Sequence, residues 1–241
     1  MSTFTELNRQ YFDKQASSYN GDFRNVLETI YNQVQSRRSW ISDIWNDTET
    51  GKDPEIKVLE YACGTGAVSS ALAPFVDKVV GIDVSEEMIK QYNSNAKETG
   101  FAGKMAGYVG DLFAESVPAE ISGPEFQDFD LVAVSMALHH FDKPEFALKR
   151  LGERLKKGGM CLIIDLVPED KHSPHAMGHA FPEANATIRT HGFTAEHMQK
   201  LFESAGLSHK VDYCVIEEPV VFRKEGKEIS KTIFIARAQR T

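Results

Sequence analysis

The chain has 241 residues, 41% of them hydrophobic, which suits one α/β domain whose sheet is covered on both faces and leaves no room for two independent catalytic domains. Its 27 Lys and Arg against 35 Asp and Glu give a net charge of −8, a field that repels nucleic-acid backbones and anionic membrane surfaces. Cys63, Cys161 and Cys214 are odd in number and widely spaced, so reduced core thiols are expected and no disulfide framework is implied.

The opening stretch, Met1 to Phe12, has neither a secretory nor a transit pattern, and no apolar run reaches membrane-spanning length; a soluble cytoplasmic protein is expected. Residues 4–19 and 25–45 read as helices, the second carrying an apolar stripe through Val26, Ile30, Val34, Trp40, Ile41 and Ile44. Residues 1–54 are expected to form an N-terminal helical lid, ended by the polar connector from Asn46 to Pro54. The apolar faces of these helices suit either a lid or a homodimer contact, with Trp40 and Trp45 the candidates for the latter.

From Glu55 strands and helices alternate: strand 56–62, helix 66–75, strand 78–83, helix 85–98, strands 105–109 and 128–135, helix 144–157, strand 160–166. That rhythm predicts a doubly wound, mostly parallel sheet with helices on both faces. A His- and Pro-rich loop over 168–192, a helix at 194–205 and strands near 209–217 and 230–238 follow. With no helix between them, the last two strands should form a hairpin that adds an antiparallel strand to a seven-stranded sheet.

Three predicted strands end in glycine, an acidic residue or both: Glu60-Tyr61-Ala62-Cys63-Gly64-Thr65-Gly66, Gly81-Ile82-Asp83 and Gly110-Asp111-Leu112. In a doubly wound sheet ligands sit beyond the carboxyl ends of the strands, where strand order reverses. The glycines permit a close backbone approach, and the helix that follows aims free N–H groups at a polar ligand. Asp83 can accept both hydroxyls of a ribose, and Asp111 can accept from the exocyclic amine of an adenine.

These segments, with Val84-Ser85-Glu86-Glu87-Met88, Leu138-His139-His140-Phe141 and Leu155-Lys156-Lys157-Gly158-Gly159, resemble a class I S-adenosylmethionine-dependent methyltransferase of the small-molecule branch that includes the ubiquinone and menaquinone biosynthesis enzymes. Residues 11–20 also resemble the family's opening segment, whose tyrosine, here Tyr19, helps to cover the cofactor. The resemblance implies a Rossmann-like domain over 55–241 with 168–192 as a variable substrate cover. It implies S-adenosyl-L-methionine as cofactor and a small-molecule acceptor. Glu60, Gly64 and Gly66 would line the methionine end, Asp83 would hold the ribose, Met88 would pack on the adenine, and Asp111 and Leu112 would recognise its edge, with Tyr61, Ala62, Cys63, Val84 and Gly110 also among the cofactor-binding residues. Ser135 and Met136 would contribute from the fourth strand. Tyr61 departs from the small or Asp/Val-type residues frequent there.

Oxygen and most nitrogen acceptors must also lose a proton, and histidine suits that near neutral pH. His139 and His140 follow the fourth strand and Asp165 ends the fifth, so a His–Asp base beside the methyl donor is one reading; a packing histidine and a strand-closing aspartate is the other. A nicotinamide-dependent oxidoreductase would share the glycine turn and ribose carboxylate, but Ser69 stands where its fingerprint wants Gly or Ala. A cofactor-binding domain that no longer catalyses stays open.

His172, His175 and His179, with His191 downstream, raise a metal site, yet Pro174 interrupts the first spacing and no Cys or Glu joins in register, so no metal is expected. His191 and Phe193 precede the helix N-cap Thr194 and could face substrate, or Phe193 could be a hydrophobic staple. Val134-Ser135-Met136-Ala137 lacks the Asn/Asp-Pro-Pro-aromatic pattern used on planar amides and base nitrogens, which leaves oxygen, sulfur or carbon nucleophiles.

Overall fold

The computed structural model describes residues 2–52, 55–169, 181–224 and 226–241. Seven strands form one sheet in the order β3-β2-β1-β4-β5-β7-β6. The strands are β1 (Lys57–Tyr61), β2 (Lys78–Asp83), β3 (Met105–Val109), β4 (Phe129–Ser135), β5 (Leu155–Leu166), β6 (His209–Lys224) and β7 (Lys227–Gln239). β1 pairs in parallel with both β2 and β4, so strand order reverses between β1 and β4. β7 runs antiparallel between β5 and β6.

Near-continuous apolar runs such as Val79-Val80-Gly81-Ile82 are what a strand buried on both faces requires. One face is covered by α2 (Arg24–Ser36), α4 (Ala67–Leu72) and α5 (Glu86–Glu98), where Val26, Ile30, Val34, Val68 and Leu72 share a core cluster. The other face carries α6 (Pro144–Gly152) and α8 (Ala195–Ser204), where Leu148, Leu151, Met198 and Phe202 pack on Val132 and Ile163. α1 (Thr3–Asp22), α3 (Arg38–Ile41) and the short α7 (Pro182–Asn185) complete the helices among the described residues.

Tyr92 on α5 is a pillar under the sheet end. A Cβ on Gly66, Gly81 or Gly107 would lie 2.7, 2.6 or 2.8 Å from its ring, and its hydroxyl donates to Ser69 Oγ at 2.9 Å. Three segments are therefore glycine where they meet one tyrosine.

Three expectations are corrected. The helix over 25–45 is two helices broken at Arg37, where backbone bonding restarts with Trp40 and Ile41 donating to the Arg37 carbonyl. The helix over 144–157 ends at Gly152, and β5 starts at Leu155 rather than 160. Gly158, at φ +78, makes a bulge there, so that Phe129 pairs with Leu155 but Leu131 with Met160. The closing hairpin is longer at both strands than the periodicity suggests.

Trp40 and Trp45 turn into the chain. The Trp45 indole N–H donates to the Arg38 and Ser42 carbonyls, and that of Trp40 to Asp212 at 2.8 Å with the Arg237 guanidinium over its ring. Among the described residues no helix is long and apolar enough to cross a membrane.

Candidate functional site

A cavity of about 860 Å³ opens beyond the carboxyl ends of β1, β2 and β4, at the reversal of strand order. Its wall includes Glu60, Tyr61, Ala62, Cys63, Gly64, Asp83, Val84, Met88, Asp111, Ser135, Met136 and His140, with Tyr19 on α1 closing over it.

The turn after β1 is built by backbone chemistry. Ala62, Gly64 and Gly66 have φ of +53, +50 and +88, and Met136 at the end of β4 has +52, so two adjacent strand ends turn through the left-handed region beside the cavity. Glu60 reaches across from β1 to α4: its Oε2 accepts the Ser69 N–H at 2.8 Å and the Ser69 hydroxyl at 2.5 Å, and Oε1 accepts the Val68 N–H at 3.3 Å. Burial pushes this carboxyl up to about 7 against those hydrogen bonds.

Asp83 joins two loops at the cavity. Its Oδ2 accepts the Gly64 N–H and its Oδ1 the Ser85 N–H, both at 2.9 Å, while burial raises its pKa to about 6. Asp111 Oδ1 accepts the Phe113 N–H at 2.8 Å and the Tyr61 hydroxyl at 3.3 Å. Tyr61, which departs from the residues expected there, meets Phe113 at a tilt at 4.6 Å and Phe141 edge-on at 5.8 Å, and its hydroxyl braces the carboxylate that follows the third strand. The Cys63 thiol, also in the wall, is pushed well above its usual range by burial.

α1 is tied down at Asp13, whose Oδ1 accepts the Ser85 hydroxyl at 2.6 Å, and Arg9 braces Asp13 from one turn earlier. Phe4, Asn8, Phe12 and Ala16 repeat every four residues, one face of the helix. The Phe12 ring meets His140 edge-on at 5.2 Å, and the Arg189 guanidinium lies 3.9 Å over the Phe4 ring.

The two histidines have different surroundings. His139 is buried with Nδ1 2.7 Å from Asp165 Oδ1, and its backbone N–H donates to Asp165 Oδ2 at 3.2 Å. Neither residue is in the cavity wall. His140 is, and its ring lies 4.0 Å from that of His139. His140 Nδ1 sits 2.7 Å from the Thr187 carbonyl, which can only accept, so Nδ1 carries the proton and Nε2 keeps a lone pair. Burial first, then the neighbouring His139, holds its pKa well below the ordinary histidine range.

Other expected site residues lie behind the wall. Gly110 packs against Ile121, its N–H donating to the Asp83 carbonyl at 2.9 Å, and Leu112 is in the core. Gly66 faces Tyr92 rather than the cavity. His191 is exposed, whereas Phe193 is fully buried beside His197 with its carbonyl accepting the Tyr213 hydroxyl, away from the cavity wall. His172, His175 and His179 lie outside the described residues; among those described, no three His, Cys, Asp or Glu side chains converge as a metal site. Asn8, Phe12, Thr187 and Arg189 were not singled out by sequence; for the first two, the four-residue stripe on α1 was the available signal.

The wall fits a polar cofactor. A Cβ on Gly64 would meet nothing within 4 Å, so the turn is an open cradle. Two buried atoms of wall residues, Ser135 Oγ and Asn8 Oδ1, have no hydrogen-bond partner among the described residues, which a buried polar atom seldom tolerates without a ligand or water.

Comparison with known proteins agrees. A methyltransferase-domain family model matches residues 33–209. An uncharacterized methyltransferase of Schizosaccharomyces pombe is 31% identical over 169 residues, covering 69% of this chain and 58% of that protein. A demethylmenaquinone methyltransferase of Leptospira interrogans is 27% identical over 160 residues, covering 66% and 59%. The chain thus spans less than two thirds of the length of these curated relatives. In fold it is similar to a S-adenosylmethionine-dependent methyltransferase from Anabaena variabilis, with TM-score 0.66, 18% identity and coverage of 100% and 96%. It is also similar to the magnesium protoporphyrin IX methyltransferase of Synechocystis with bound S-adenosylmethionine, with TM-score 0.63, 15% identity and coverage of 100% and 99%. The chain belongs to the methyltransferase-domain family.

Proposed function

We propose that this chain transfers a methyl group to a small organic acceptor through an oxygen, sulfur or carbon nucleophile, with His140 as the base. The observation that carries the reading is a neutral imidazole in the cavity wall whose Nδ1 proton is held by the Thr187 carbonyl, leaving Nε2 to accept a proton. S-adenosylmethionine supplies, when bound, a methyl group on a sulfonium, activated for in-line displacement.

The residues that would hold it are already oriented. Asp83 keeps lone pairs for two ribose hydroxyls after accepting two backbone N–H groups, and Asp111 for an adenine amine. Gly64 admits the ligand against the backbone, and Tyr19, Val84 and Met88 exclude water around it. Positioning a nucleophile behind the methyl group accounts for much of the acceleration in such a transfer. His140 then removes the proton that an oxygen acceptor must lose. His139 and Asp165, off the wall, brace the turn that presents His140 instead of forming the base themselves.

An apolar ring is favoured in the acceptor, because Phe12, Phe113, Phe141 and Phe146 share the wall. The acidic net charge of −8 disfavours nucleic acid, and three free cysteines suit a reducing cytoplasm. Calorimetric titration with S-adenosylmethionine and S-adenosylhomocysteine, with NAD and NADP as controls, tests the cofactor. Binding of the two sulfur nucleosides followed by turnover on a screened acceptor supports the reading; binding without turnover on any acceptor favours a regulatory domain, and binding only to a nicotinamide overturns it.

A further inference from the structure

We propose that Thr187 is a positioning residue that fixes which nitrogen of His140 carries the proton. The inference rests on the reading of His140 as the base, and it concerns a residue 47 positions away in sequence, beyond β5 and within the His- and Pro-rich loop.

The segment 187–190 grips both histidines from outside the strand ends. The Thr187 carbonyl holds His140 Nδ1 at 2.7 Å, while the Arg189 and Thr190 N–H groups both donate to the His139 carbonyl, at 2.9 and 3.2 Å. Arg189 extends the grip to the lid: its guanidinium pairs with Asp142 at 3.0 Å and lies over Phe4. Nothing else in the described protein pairs with the His140 ring by hydrogen bond, so this one carbonyl selects the tautomer.

The direction of that carbonyl is set by the Thr187 side chain. Thr187 is 1% exposed, and its hydroxyl donates to the Ala184 carbonyl at 2.6 Å while its own N–H donates to the same oxygen at 3.0 Å. The Ile188 N–H closes on Asn185 at 3.2 Å. The residue is thereby clamped at its nitrogen and its side chain, and the peptide plane that carries its oxygen is held toward His140. A hydroxyl folded back onto a carbonyl three residues earlier is a local bond that only Ser or Thr makes in this way.

The consequence is chemical. A carbonyl held against one ring nitrogen keeps the proton on that nitrogen and leaves the other with its lone pair. With the carbonyl in place, the cavity faces a lone pair; with it displaced, the proton can move to Nε2 and the cavity faces a donor unable to take a proton from an acceptor.

Two-bond proton–nitrogen correlation spectra of the ¹⁵N-labelled full chain, recorded at mildly alkaline pH, read the tautomer without any methyl acceptor. Wild-type His140 should be protonated at Nδ1 alone. Thr187→Val, which keeps the branched shape and loses the hydroxyl, should show a mixture with the Nε2–H form, and Thr187→Ser should restore the wild-type signature. S-adenosylhomocysteine should bind all three within about twofold, since the cofactor wall is untouched.

A wild-type ring protonated at Nε2 overturns the proposal, as does a Val variant indistinguishable from wild type. If the Val variant fails to fold, the wild-type and Ser spectra still decide, because both must show Nδ1–H. Failure of every form to bind S-adenosylhomocysteine would sink the methyl-transfer reading, a result separate from the tautomer itself.

Discussion

Replacing Asp83 by Asn separates the clasp this carboxylate makes between two loops from its proposed role of receiving a ribose. The substitution keeps the shape but leaves one oxygen, so either the Gly64 or the Ser85 N–H, each bonded at 2.9 Å, would face an amide NH₂. An orphaned buried donor costs about 1–3 kcal/mol. Against that stands a relief. Burial raises the Asp83 pKa from 3.8 to about 6, so keeping it ionised in the fold at neutral pH costs about 3 kcal/mol that Asn does not incur.

The two effects nearly cancel, and the apo variant should lie within about 2 kcal/mol of wild type at pH 7.5. The sign is checkable. A carboxyl whose folded pKa lies above its unfolded one adds stability at low pH that is lost as pH rises through the folded value. Between pH 4.5 and 7.5 wild type should therefore lose about 2 kcal/mol more than Asp83→Asn, with Glu60, which is raised chiefly by burial and least by the Asp83 charge, contributing much the same to both. Urea unfolding at the two pH values measures that difference. Calorimetry with S-adenosylhomocysteine should show at least about a hundredfold weaker binding, since charge-assisted bonds to two hydroxyls are lost. A variant that folds more than about 4 kcal/mol less stably but binds normally once folded would show that the carboxylate is a structural clasp only.

Three further outcomes follow from the site. Gly64→Ala, at φ +50 but with open space around the new Cβ, should cost only about 1–2 kcal/mol of stability yet weaken S-adenosylhomocysteine at least about tenfold. Gly66→Ala, at φ +88 and 2.7 Å from Tyr92, should do the reverse and chiefly unfold the chain; equal effects at both positions in denaturation and titration would contradict the cradle. His140→Ala should lower methyl transfer about 10²–10⁴-fold without changing cofactor affinity, whereas His139→Ala should cost about 1–3 kcal/mol of stability by removing the side-chain partner of buried Asp165 and leaving it only backbone N–H groups; an unchanged rate for His140→Ala removes it as base. Because burial and His139 keep His140 neutral well below its usual range, the rate at saturating S-adenosylmethionine, where titration of Asp83 and Glu60 acts on binding rather than on turnover, should stay level as pH falls through about 6.5, and a decline centred there would be inconsistent with the assigned environment. The unfolded chain takes up that proton first, so His140 should also lower stability as pH drops below about 6.5.

The sheet and the cavity at its strand ends are legible because they rest on local signals. Apolar runs ending in Gly64-Thr65-Gly66, Asp83 and Asp111 announce strands and their carboxyl ends whatever surrounds them. The parts that escaped depend on partners distant in the chain. His139 and His140 are neighbours in sequence with the same chemistry, and only the third dimension sends one to Asp165 and the other to the carbonyl of Thr187. Phe193 reads equally well as a pocket residue or a staple, and packing put it in the core. The start of β5 was misread since Leu155-Lys156-Lys157 continues a helical pattern, and the bulge at Gly158 becomes evident only against Phe129.

Tyr92 carries a consequence for how this sequence can vary. Its ring fills the space that three glycines vacate, from the turn after β1, from β2 and from β3, and its hydroxyl continues through Ser69 to Glu60. Shrinking it would leave a void lined by residues with no side chains to collapse into it, toward the upper end of the cost of losing a large aromatic. Enlarging any one glycine would collide with it. The four positions therefore form one unit of substitution: each is frozen while the other three stand, and a lineage could exchange them only together.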